Sequence, residues 1–531
     1  MQSHVQQTAC DASRELLERA ESLRVEATQR LDPNRRSVLG QFLTPAAIAR
    51  FMASLFSGRF DTIRLLDAGA GVGSLFAAFV EEMCLRSHHP KTLSVTAYEI
   101  EPVFTDYLKS TLKECRRVCR ESGIDFSGEA LQEDFIRGGV EMLGSRLFLS
   151  HPPRFNCAIL NPPYHKINSD SPTRRLLSSI GIETSNLYTA FLAIVVRLLA
   201  AGGELVAITP RSFCNGPYFK PFRKSFLADM SIKRIHVFAS RERAFRDDEV
   251  LQENVILHAV KEQKRTSVFV SSSVGPDDPE MLVQKVDYLQ VVKPADAESF
   301  IHIVTSDYGA EVARKMNAFS ATLEDLGLCV STGRVVDFRA RDYLRPMPDE
   351  RSVPLVHACH FEGGFVSWPK PKGRKPNAIM RAPETEFLLI PSEIYVLVKR
   401  FSAKEERRRI VAAICDPLRL STDVVGFENH LNYFHRHGKG LSKDLAKGLA
   451  VYLNSTLVDA YFRQFNGHTQ VNATDLRSLK YPTLSQLEAM GCQVGDTFPG
   501  QEEIDEIIER ETQGATAKAS QRKVLKGKDP N

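Results

Sequence analysis

The residues best suited to chemistry in this chain are Asn161, Pro162, Pro163 and Tyr164, which follow an apolar run at 158–160. The apolar run predicts a short buried strand, and the prolines end it because they cannot donate hydrogen bonds to a neighbouring strand. Asn161 and the carbonyl of Pro162 then offer acceptors, and Tyr164 offers a face for stacking. This set suits a planar substrate with an exocyclic amine, such as a nucleobase. From these residues alone, a proline-terminated edge strand is the alternative.

A glycine-rich turn predicts a nucleotide-type site. Residues 63–75 combine an apolar strand that reaches Asp67 with a turn that contains Gly69 and Gly71, where the backbone can approach a ligand closely. The glycine spacing differs from the G-x-G-x-x-G dinucleotide fingerprint. The next predicted strand ends in Glu99, where a carboxylate can accept hydrogen bonds from ribose hydroxyls. Together these features suggest a cofactor that contains adenosine.

Two other positions could belong to the same site. Asp134 could accept a hydrogen bond from an adenine amine and Phe135 could stack on the ring, although a turn acid and a core phenylalanine are the alternative. Thr44 precedes Pro45, which predicts a helix N-cap with proline at the first helical position. Free N–H groups there would favour a carboxylate ligand, and a plain helix cap is the alternative.

These positions imply one α/β sheet, because Asp67, Glu99, Asp134 and Asn161 each lie at the end of a predicted strand. Ligands of doubly wound sheets bind at the carboxyl ends of the strands, so the cofactor and substrate sites should be neighbours. Apolar patterns predict the remaining elements of a sheet of about seven strands: a helix over 188–199 and strands over 204–209, 232–238 and 253–260.

Composition fits a soluble protein of several domains. The chain has 531 residues, 43% of them hydrophobic and 25% charged, which is too long for a single core and typical of globular proteins. No apolar run is long enough to span a bilayer and residues 1–4 open no signal peptide, so we expect a cytoplasmic protein without a membrane partner. The ten cysteines lack a C-x-x-C pair, so we expect free thiols and no metal site.

In chain order, these motifs resemble those of the S-adenosylmethionine-dependent N6-adenine DNA methyltransferases of type II restriction-modification systems. The resemblance covers nearly the whole chain and is specific to the gamma class, in which the cofactor motifs precede the catalytic motif and a target-recognition domain follows both. It implies an α/β fold, with a doubly wound seven-stranded methyltransferase domain followed by a mixed C-terminal domain. It rests on 42–45, 67–71, Glu99, 134–135 and 161–164.

The resemblance also implies roles for residues. The cofactor S-adenosylmethionine would be bound by Thr44 near the methionine carboxylate, by Glu99 at the ribose, by Asp134 and Phe135 at the adenine, and by Asp67, Gly69 and Gly71 around the turn. The catalytic residues would be Asn161, Pro162 and Tyr164, with Phe245 as the late aromatic residue that stacks on the target base.

The implied activity is methylation of a flipped adenine in double-stranded DNA by a monomeric enzyme. It would protect host DNA from a cognate restriction endonuclease, which shares the target site but need not bind the methyltransferase. A protein-glutamine or RNA methyltransferase could use the same Asn-Pro-Pro-Tyr loop, because a side-chain amide resembles the amine edge of a base. A non-catalytic DNA-binding protein is a further alternative.

The length and charge of the chain predict its domains. We expect an N-terminal helical extension over 1–36, a methyltransferase domain over 37–275, a linker over 276–310, a target-recognition domain over 311–513 and a basic disordered tail over 514–531. Positive charge concentrates in the later part, because 321–480 contains 24 Lys and Arg against 18 Asp and Glu. This excess favours a phosphate-bearing partner. The basic segment 368–377 could follow a DNA backbone, although a solvated loop is the alternative, and 271–279 predicts a surface loop near the domain boundary.

Overall fold

The computed structural model describes residues 2–30, 43–144, 155–238, 254–278, 280–402, 406–467 and 469–511. The chain divides into two compact units, Met1–Thr305 and Ser306–Asn531. Within the described ranges, no helix combines the length and apolar character that crossing a membrane requires. The described cysteines are free thiols, as their scattered positions predicted.

The first unit is built on one nine-stranded sheet with the order β3-β2-β1-β4-β5-β7-β6-β8-β9. The strands from β3 to β5 are parallel, whereas β7 is antiparallel to both of its neighbours. The predicted doubly wound α/β fold is thus confirmed, and β8 and β9 extend the seven strands expected. The bounds are β1 Thr62–Ala68, β2 Thr92–Tyr98, β3 Asp125–Leu131, β4 Phe155–Leu160, β5 Leu199–Pro210, β6 Met230–Phe238, β7 Asn254–Lys261, β8 Ser267–Ser273 and β9 Leu282–Asp287.

Helices cover both faces of this sheet, and alternate side chains of the central strands enter two different cores. Leu65 of β1 and Ile159 of β4 pack in one core, whereas their neighbours Leu66 and Leu160 pack in the other. All six residues of β4 are buried, as expected for a strand with parallel neighbours. The helices are α1 Gln2–Arg30, α2 Ala46–Ser54, α3 Ser74–Leu85, α4 Thr105–Glu121, α5 Phe135–Gly144, α6 Pro172–Ser179, α7 Leu187–Leu198, α8 Lys220–Asp229 and α9 Tyr288–Val291.

Helix α1 packs in the same core as Leu65 and Ile159. It also supplies the group at the start of α2, where the predicted cap by Thr44 is wrong. Helix α2 begins after Pro45, and the Thr44 side chain does not cap it. The backbone N–H of Ala46 instead donates to Oε2 of Glu21 in α1, at 2.9 Å. The carboxylate expected at this helix end is therefore supplied by the chain itself, because the dipole and free N–H groups of α2 attract the nearest acid.

The sheet extends beyond the expected domain boundary. Strand β8 includes Ser271 and Ser273, where we predicted a loop, and β9 pairs antiparallel with it inside the stretch expected to be a linker. β9 lies at the edge of the sheet, with Leu282 63% exposed. The ammonium of Lys285 on β9 lies 6.0 Å from the ring centroid of Phe269 on β8. The first compact unit thus continues to Thr305.

The second unit contains two sheets and a set of helices, which agrees with the mixed fold expected. The six-stranded sheet has the order β10-β20-β17-β18-β14-β13 and the five-stranded sheet has the order β11-β15-β12-β19-β16. The expected tail over 514–531 lies outside the described residues. The strands are β10 Cys329–Thr332, β11 Leu344–Arg345, β12 Ser352–Val356, β13 Phe361–Glu362, β14 Phe365–Val366, β15 Ala378–Met380, β16 Leu389–Pro391, β17 Tyr395–Lys399, β18 Ala412–Cys415, β19 Val424–Phe427 and β20 Leu431–His435. The helices are α10 Asp307–Ala318, α11 Lys443–Leu453, α12 Thr456–Phe465, α13 Ala473–Ser478, α14 Leu484–Cys492 and α15 501–511.

Candidate active site

Four parallel strands end at one edge of the first sheet and bring the predicted motifs together. Gly69, Glu99 and Asn161 directly follow β1, β2 and β4, and Asp134 follows β3 by three residues. A cavity of about 300 Å³ opens at this edge. This volume is at the lower end of the roughly 300–1,000 Å³ of ligand pockets. Its lining comprises Leu43, Gly69, Gly71, Tyr98, Glu99, Ile100, Glu101, Phe104, Glu133, Asp134, Phe135, Ile136, Asn161, Pro163, Thr173, Leu187 and Phe191.

The glycine turn and Glu99 form one hydrogen-bonded unit. Gly69 and Gly71 have φ values of 81° and 56°, which lie in the left-handed region that favours glycine. The backbone N–H of Gly71 donates to Oε2 of Glu99 at 2.8 Å, and the N–H of Glu101 donates to Oε1 at 2.8 Å. Burial raises the pKa of Glu99, and these N–H groups oppose the rise. The carboxylate is thus fixed at the cavity wall.

Asp67 lies behind the turn and does not line the cavity. It is fully buried, and neither carboxylate oxygen has a hydrogen-bond partner within the described part of the chain. Burial raises the pKa of Asp67 well above its usual range, an effect that the nearby backbone N–H of Phe76 reduces. Asp67, which was predicted to bind the cofactor, therefore contributes no side chain to the cavity lining.

Aromatic rings form the side of the cavity opposite Glu99. The ring of Phe135 contacts Tyr98 edge to face at 5.3 Å and lies 5.0 Å from Phe191, measured between ring centroids. Phe135 is buried, whereas Asp134 is exposed and accepts a hydrogen bond from Ile136 N–H at 2.9 Å. Both positions predicted for adenine binding therefore line the cavity.

The side chain of Asn161 is held by two hydrogen bonds. Its Nδ2 donates to Oγ1 of Thr44 at 3.1 Å, and its Oδ1 accepts from the hydroxyl of Tyr164 at 3.1 Å. Thr44, which lies 117 positions earlier, is itself buried. In this arrangement the amide oxygen of Asn161 is an acceptor. Thr44 thus contacts the residue predicted to be catalytic.

The other residues of the loop differ in whether they line the cavity. Tyr164 does not line the cavity, because its ring packs edge to face against Tyr188 with centroids 6.1 Å apart. Burial raises the pKa of Tyr164, so its hydroxyl remains a donor at neutral pH. Pro162 is buried, and Pro163 lines the cavity. Phe245, the predicted base-stacking residue, lies outside the described residues.

The structure adds residues that the sequence did not identify. Ile100 is 55% exposed and lines the cavity directly after Glu99, and Phe191 reaches it from α7. The position of Ile100 directly after Glu99 could have indicated from the sequence that it lines the cavity. Phe191 had no such signal, because its contact with Phe135 spans more than fifty positions.

Two larger depressions lack this chemistry. One of about 450 Å³ lies at the opposite edge of the first sheet, near Phe56, Arg59 and Arg86, where β1 and β2 begin. Another of about 650 Å³ lies in the second unit around Cys329 and His437. Neither has a glycine turn at the end of a parallel strand, so the 300 Å³ cavity is the candidate active site.

Comparisons with known proteins identify relatives of this chain. Residues 106–245 match the Eco57I restriction-modification methylase family. The type II methyltransferase M.PstI of Providencia stuartii is 48% identical over 494 residues, which are 93% of this chain and 96% of that protein. The type II methyltransferase M.BsuBI of Bacillus subtilis is 45% identical over 479 residues, which are 89% of this chain and 94% of that protein.

A solved structure shows a similar fold. The type IIL restriction-modification enzyme MmeI, solved in complex with DNA, aligns with 94% of this chain, and the alignment covers 74% of the MmeI chain. The TM-score is 0.53 and the sequence identity is 12%. The two curated relatives favour a DNA methyltransferase over the protein-glutamine, RNA and non-catalytic alternatives. Because those relatives align over about nine-tenths of its length, the chain belongs to the type II methyltransferases of restriction-modification systems, enzymes that methylate DNA.

Proposed function

We propose that the protein transfers a methyl group from S-adenosylmethionine to N6 of an adenine flipped out of double-stranded DNA. The observation that carries the proposal is the oriented amide of Asn161 at the wall of the nucleotide-type cavity. The protein acts as a monomer in the cytoplasm and protects host DNA from a cognate restriction endonuclease, which shares the target site but need not bind the methyltransferase.

The cavity suits S-adenosylmethionine. Gly69 and Gly71 allow close approach of the backbone, Glu99 can accept from ribose hydroxyls, and Phe135 provides an aromatic surface beside the acceptor Asp134. When bound, the cofactor supplies a methyl group that its sulfonium already activates for transfer. The protein therefore has mainly to align the acceptor nitrogen, which is a task of positioning.

The chain's own residues would act on the attacking amine. The nitrogen becomes tetrahedral and gains positive charge as it attacks, so acceptors at Asn161 and the Pro162 carbonyl stabilise the transition state more than the planar ground state. A carboxamide oxygen has two lone pairs, so Oδ1 of Asn161 can accept from Tyr164 and from the substrate amine together. Tyr164 is then a positioning residue, and stacking on the base falls to other aromatic residues, with Phe245 our candidate.

The chemistry favours an exocyclic amine over a ring carbon. Methylation of cytosine at C5 requires a nucleophilic cysteine, and no cysteine is among the described residues that line the cavity. The N6 amine of adenine is inaccessible within the base stack, so the target leaves the duplex at a cost of a few kcal/mol. Stacking on an aromatic side chain offsets about 1–3 kcal/mol of that cost.

The second unit is proposed to read the DNA sequence. Its basic segment 368–377 contains four cations, of which Lys370 pairs with Glu362 and Lys375 pairs with Asp337. Lys372 and Arg374 are exposed and make no ion pair with a described residue. These two side chains are therefore the better candidates for phosphate contacts.

The direct test is the modified base itself. We would express the protein in a host that lacks DNA methyltransferases, digest the DNA to nucleosides and identify the methylated base by mass spectrometry, with sequencing to locate the site. N6-methyladenine at one sequence motif is expected with the wild-type chain and is expected to be absent with Asn161→Ala. Detection of N4-methylcytosine or 5-methylcytosine instead would reject the adenine assignment.

A further inference from the structure

Two strand ends and a neighbouring segment in the second unit bring Asp337, His357 and Glu428 together. β12 and β19 are parallel neighbours that pair Val356 with Phe427, so the next residues, His357 and Glu428, lie side by side. A parallel bridge to Glu428 brings the segment that carries Asp337 to the same edge. One potential ligand atom from each of the three side chains lies within 4.8 Å of the others.

Several polar atoms of this group are buried without a hydrogen-bond partner among the described residues. His357 and Glu428 are 2% and 1% exposed. Nε2 of His357 and Oδ1 of Asp337 have no hydrogen-bond partner in the described parts of the chain, and they lie 4.0 Å apart. Nδ1 of His357 lies 3.8 Å from Oε2 of Glu428. These separations are too long for direct hydrogen bonds, so the group leaves a space between its polar atoms.

A second histidine, His430, lies beside Glu428. Nδ1 of His430 is 2.7 Å from Oε1 of Glu428, and the His430 side chain is 45% exposed. The three residues whose potential ligand atoms lie within 4.8 Å of one another supply one imidazole and two carboxylates from three chain segments. Nitrogen and oxygen ligands of this kind are those that Zn²⁺ takes in tetrahedral sites.

We propose that Asp337, His357 and Glu428 bind one Zn²⁺ ion. No sequence pattern indicated this site, because its residues are separated by up to 91 positions and lack a metal-binding motif. The ion joins two strand ends of the second unit to the segment that carries Asp337. It also orients the basic segment, because the second carboxylate oxygen of Asp337 accepts from Lys375 at 2.8 Å.

Zinc binding can be measured without DNA or cofactor. Full-length protein without a histidine tag would be dialysed against EDTA and titrated with ZnCl₂ by calorimetry, and its melting temperature would be followed in parallel. We expect one zinc ion per chain and a rise in Tm that EDTA reverses, because a ligand of the native state stabilises it. Absence of stoichiometric binding would overturn the proposal and leave ordered water as the occupant of the space.

Matched variants locate the ion. Glu428→Gln keeps the size of a buried ligand but removes its charge, and Asp337→Asn does the same at a partly exposed one, so each should weaken zinc binding at least tenfold. Asp423→Asn is the control, because this exposed carboxylate of the same unit pairs with Arg381. Equal affinity in wild type and in both ligand variants would refute the site.

X-ray absorption at the zinc edge gives a test that does not depend on variants. Cys359 lies two residues after His357 and is exposed, so it is the nearest sulfur in sequence. The proposed site predicts a first shell of nitrogen and oxygen at about 2.0–2.2 Å, whereas a thiolate ligand lies near 2.3 Å. A sulfur ligand in the spectrum would contradict this assignment.

Discussion

Asn161 has both ends of its amide engaged, through Thr44 and Tyr164, before a substrate arrives. We predict that Asn161→Ala lowers methyl transfer by about 10²-fold or more, by analogy with removal of a transition-state hydrogen bond. Binding of S-adenosylmethionine and DNA should change little. Transfer of tritiated methyl groups measures the rate, and calorimetry measures cofactor affinity. Turnover close to that of the wild type would refute the role of Asn161.

The hydroxyl of Tyr164 gives a finer test of the same network. Tyr164→Phe removes the donor to Asn161 and keeps the ring, so we expect kcat to fall roughly fivefold to tenfold, as for one hydrogen bond. Tyr188→Phe is a matched control, because the hydroxyl of this neighbouring buried tyrosine bonds to Ser212. The prediction is wrong if both variants lose the same activity.

Glu99 should make cofactor binding depend on pH. We propose that its carboxylate accepts hydrogen bonds from ribose hydroxyls. Burial raises the pKa of Glu99, so protonation begins at a higher pH than for an ordinary glutamate. Affinity for S-adenosylmethionine should therefore decline as pH falls towards that raised pKa. Glu99→Gln should bind the cofactor about tenfold or more weakly, because charge-assisted hydrogen bonds contribute about 1.5–3 kcal/mol.

Calorimetry across pH tests this role of Glu99. The pH-dependent part of the affinity should be absent from Glu99→Gln and unchanged in Glu129→Gln, a control on β3 whose carboxylate accepts from Thr96. If the wild type and Glu99→Gln show the same affinity and pH profile, the carboxylate does not bind the ribose.

Among the structural elements, the contribution of the glycine turn to cofactor binding can be separated from the backbone strain that an alanine would introduce. A Cβ on Gly71, at φ 56°, would lie 2.5 Å from Leu43, and the Gly71 N–H also holds Glu99. A Cβ on Gly123, at φ 75°, would meet open space. Alanine at either position should destabilise the first unit by about 1–2 kcal/mol, but only Gly71→Ala should also weaken cofactor binding. Thermal unfolding and calorimetry separate the two effects.

The sequence predicted the strand ends well because they depend on local patterns. An apolar run followed by glycine, an acid or Asn-Pro-Pro specifies both the strand and its end, and Gly69, Glu99, Asp134 and Asn161 do line one cavity. Contacts between distant segments had no such pattern. The carboxylate of Glu21 at the start of α2 and the bond from Asn161 to Thr44 depend on the tertiary fold.

The domain boundary predicted at residue 275 falls inside the first compact unit, for a related physical reason. Serine-rich sequence with glycine and proline favours a loop, yet Ser271 and Ser273 continue β8 because pairing with β6 and β9 outweighs local preference. Strand propensity depends on neighbours, so the position of an edge strand is poorly determined by its own residues.

For the whole molecule, the division at Thr305 defines a fragment to test. We predict that residues 1–305 bind S-adenosylmethionine but lose sequence-specific binding to duplex DNA, which requires a surface that reaches base edges. A fragment that ends at Ser273 should be less stable, because it lacks β9 and uncovers Val268. Calorimetry and fluorescence anisotropy measure the two activities. Specific duplex binding by 1–305 would place recognition in the first unit.

The basic segment can be tested by its dependence on salt. Neutralising Lys372 and Arg374 together with glutamine should weaken DNA binding and reduce the slope of log K against log salt by about 2, because each phosphate contact contributes about 0.9. A variant with glutamine at the exposed Lys443 and Arg510 carries the same loss of charge and serves as the control. An equal slope in the two variants would assign the effect to net charge alone.

The edge strand β9 also bears on how the protein behaves when it is concentrated. With β8 on one side only, its outer backbone groups form a template to which a strand of another molecule could pair, and the exposed Leu282 and Val283 would favour such pairing. Lys285 opposes it, because addition of a strand would bring two copies of its ammonium group close together. The charge of Lys285 thus helps to discourage aggregation through this edge, and its loss should lower solubility before it affects catalysis.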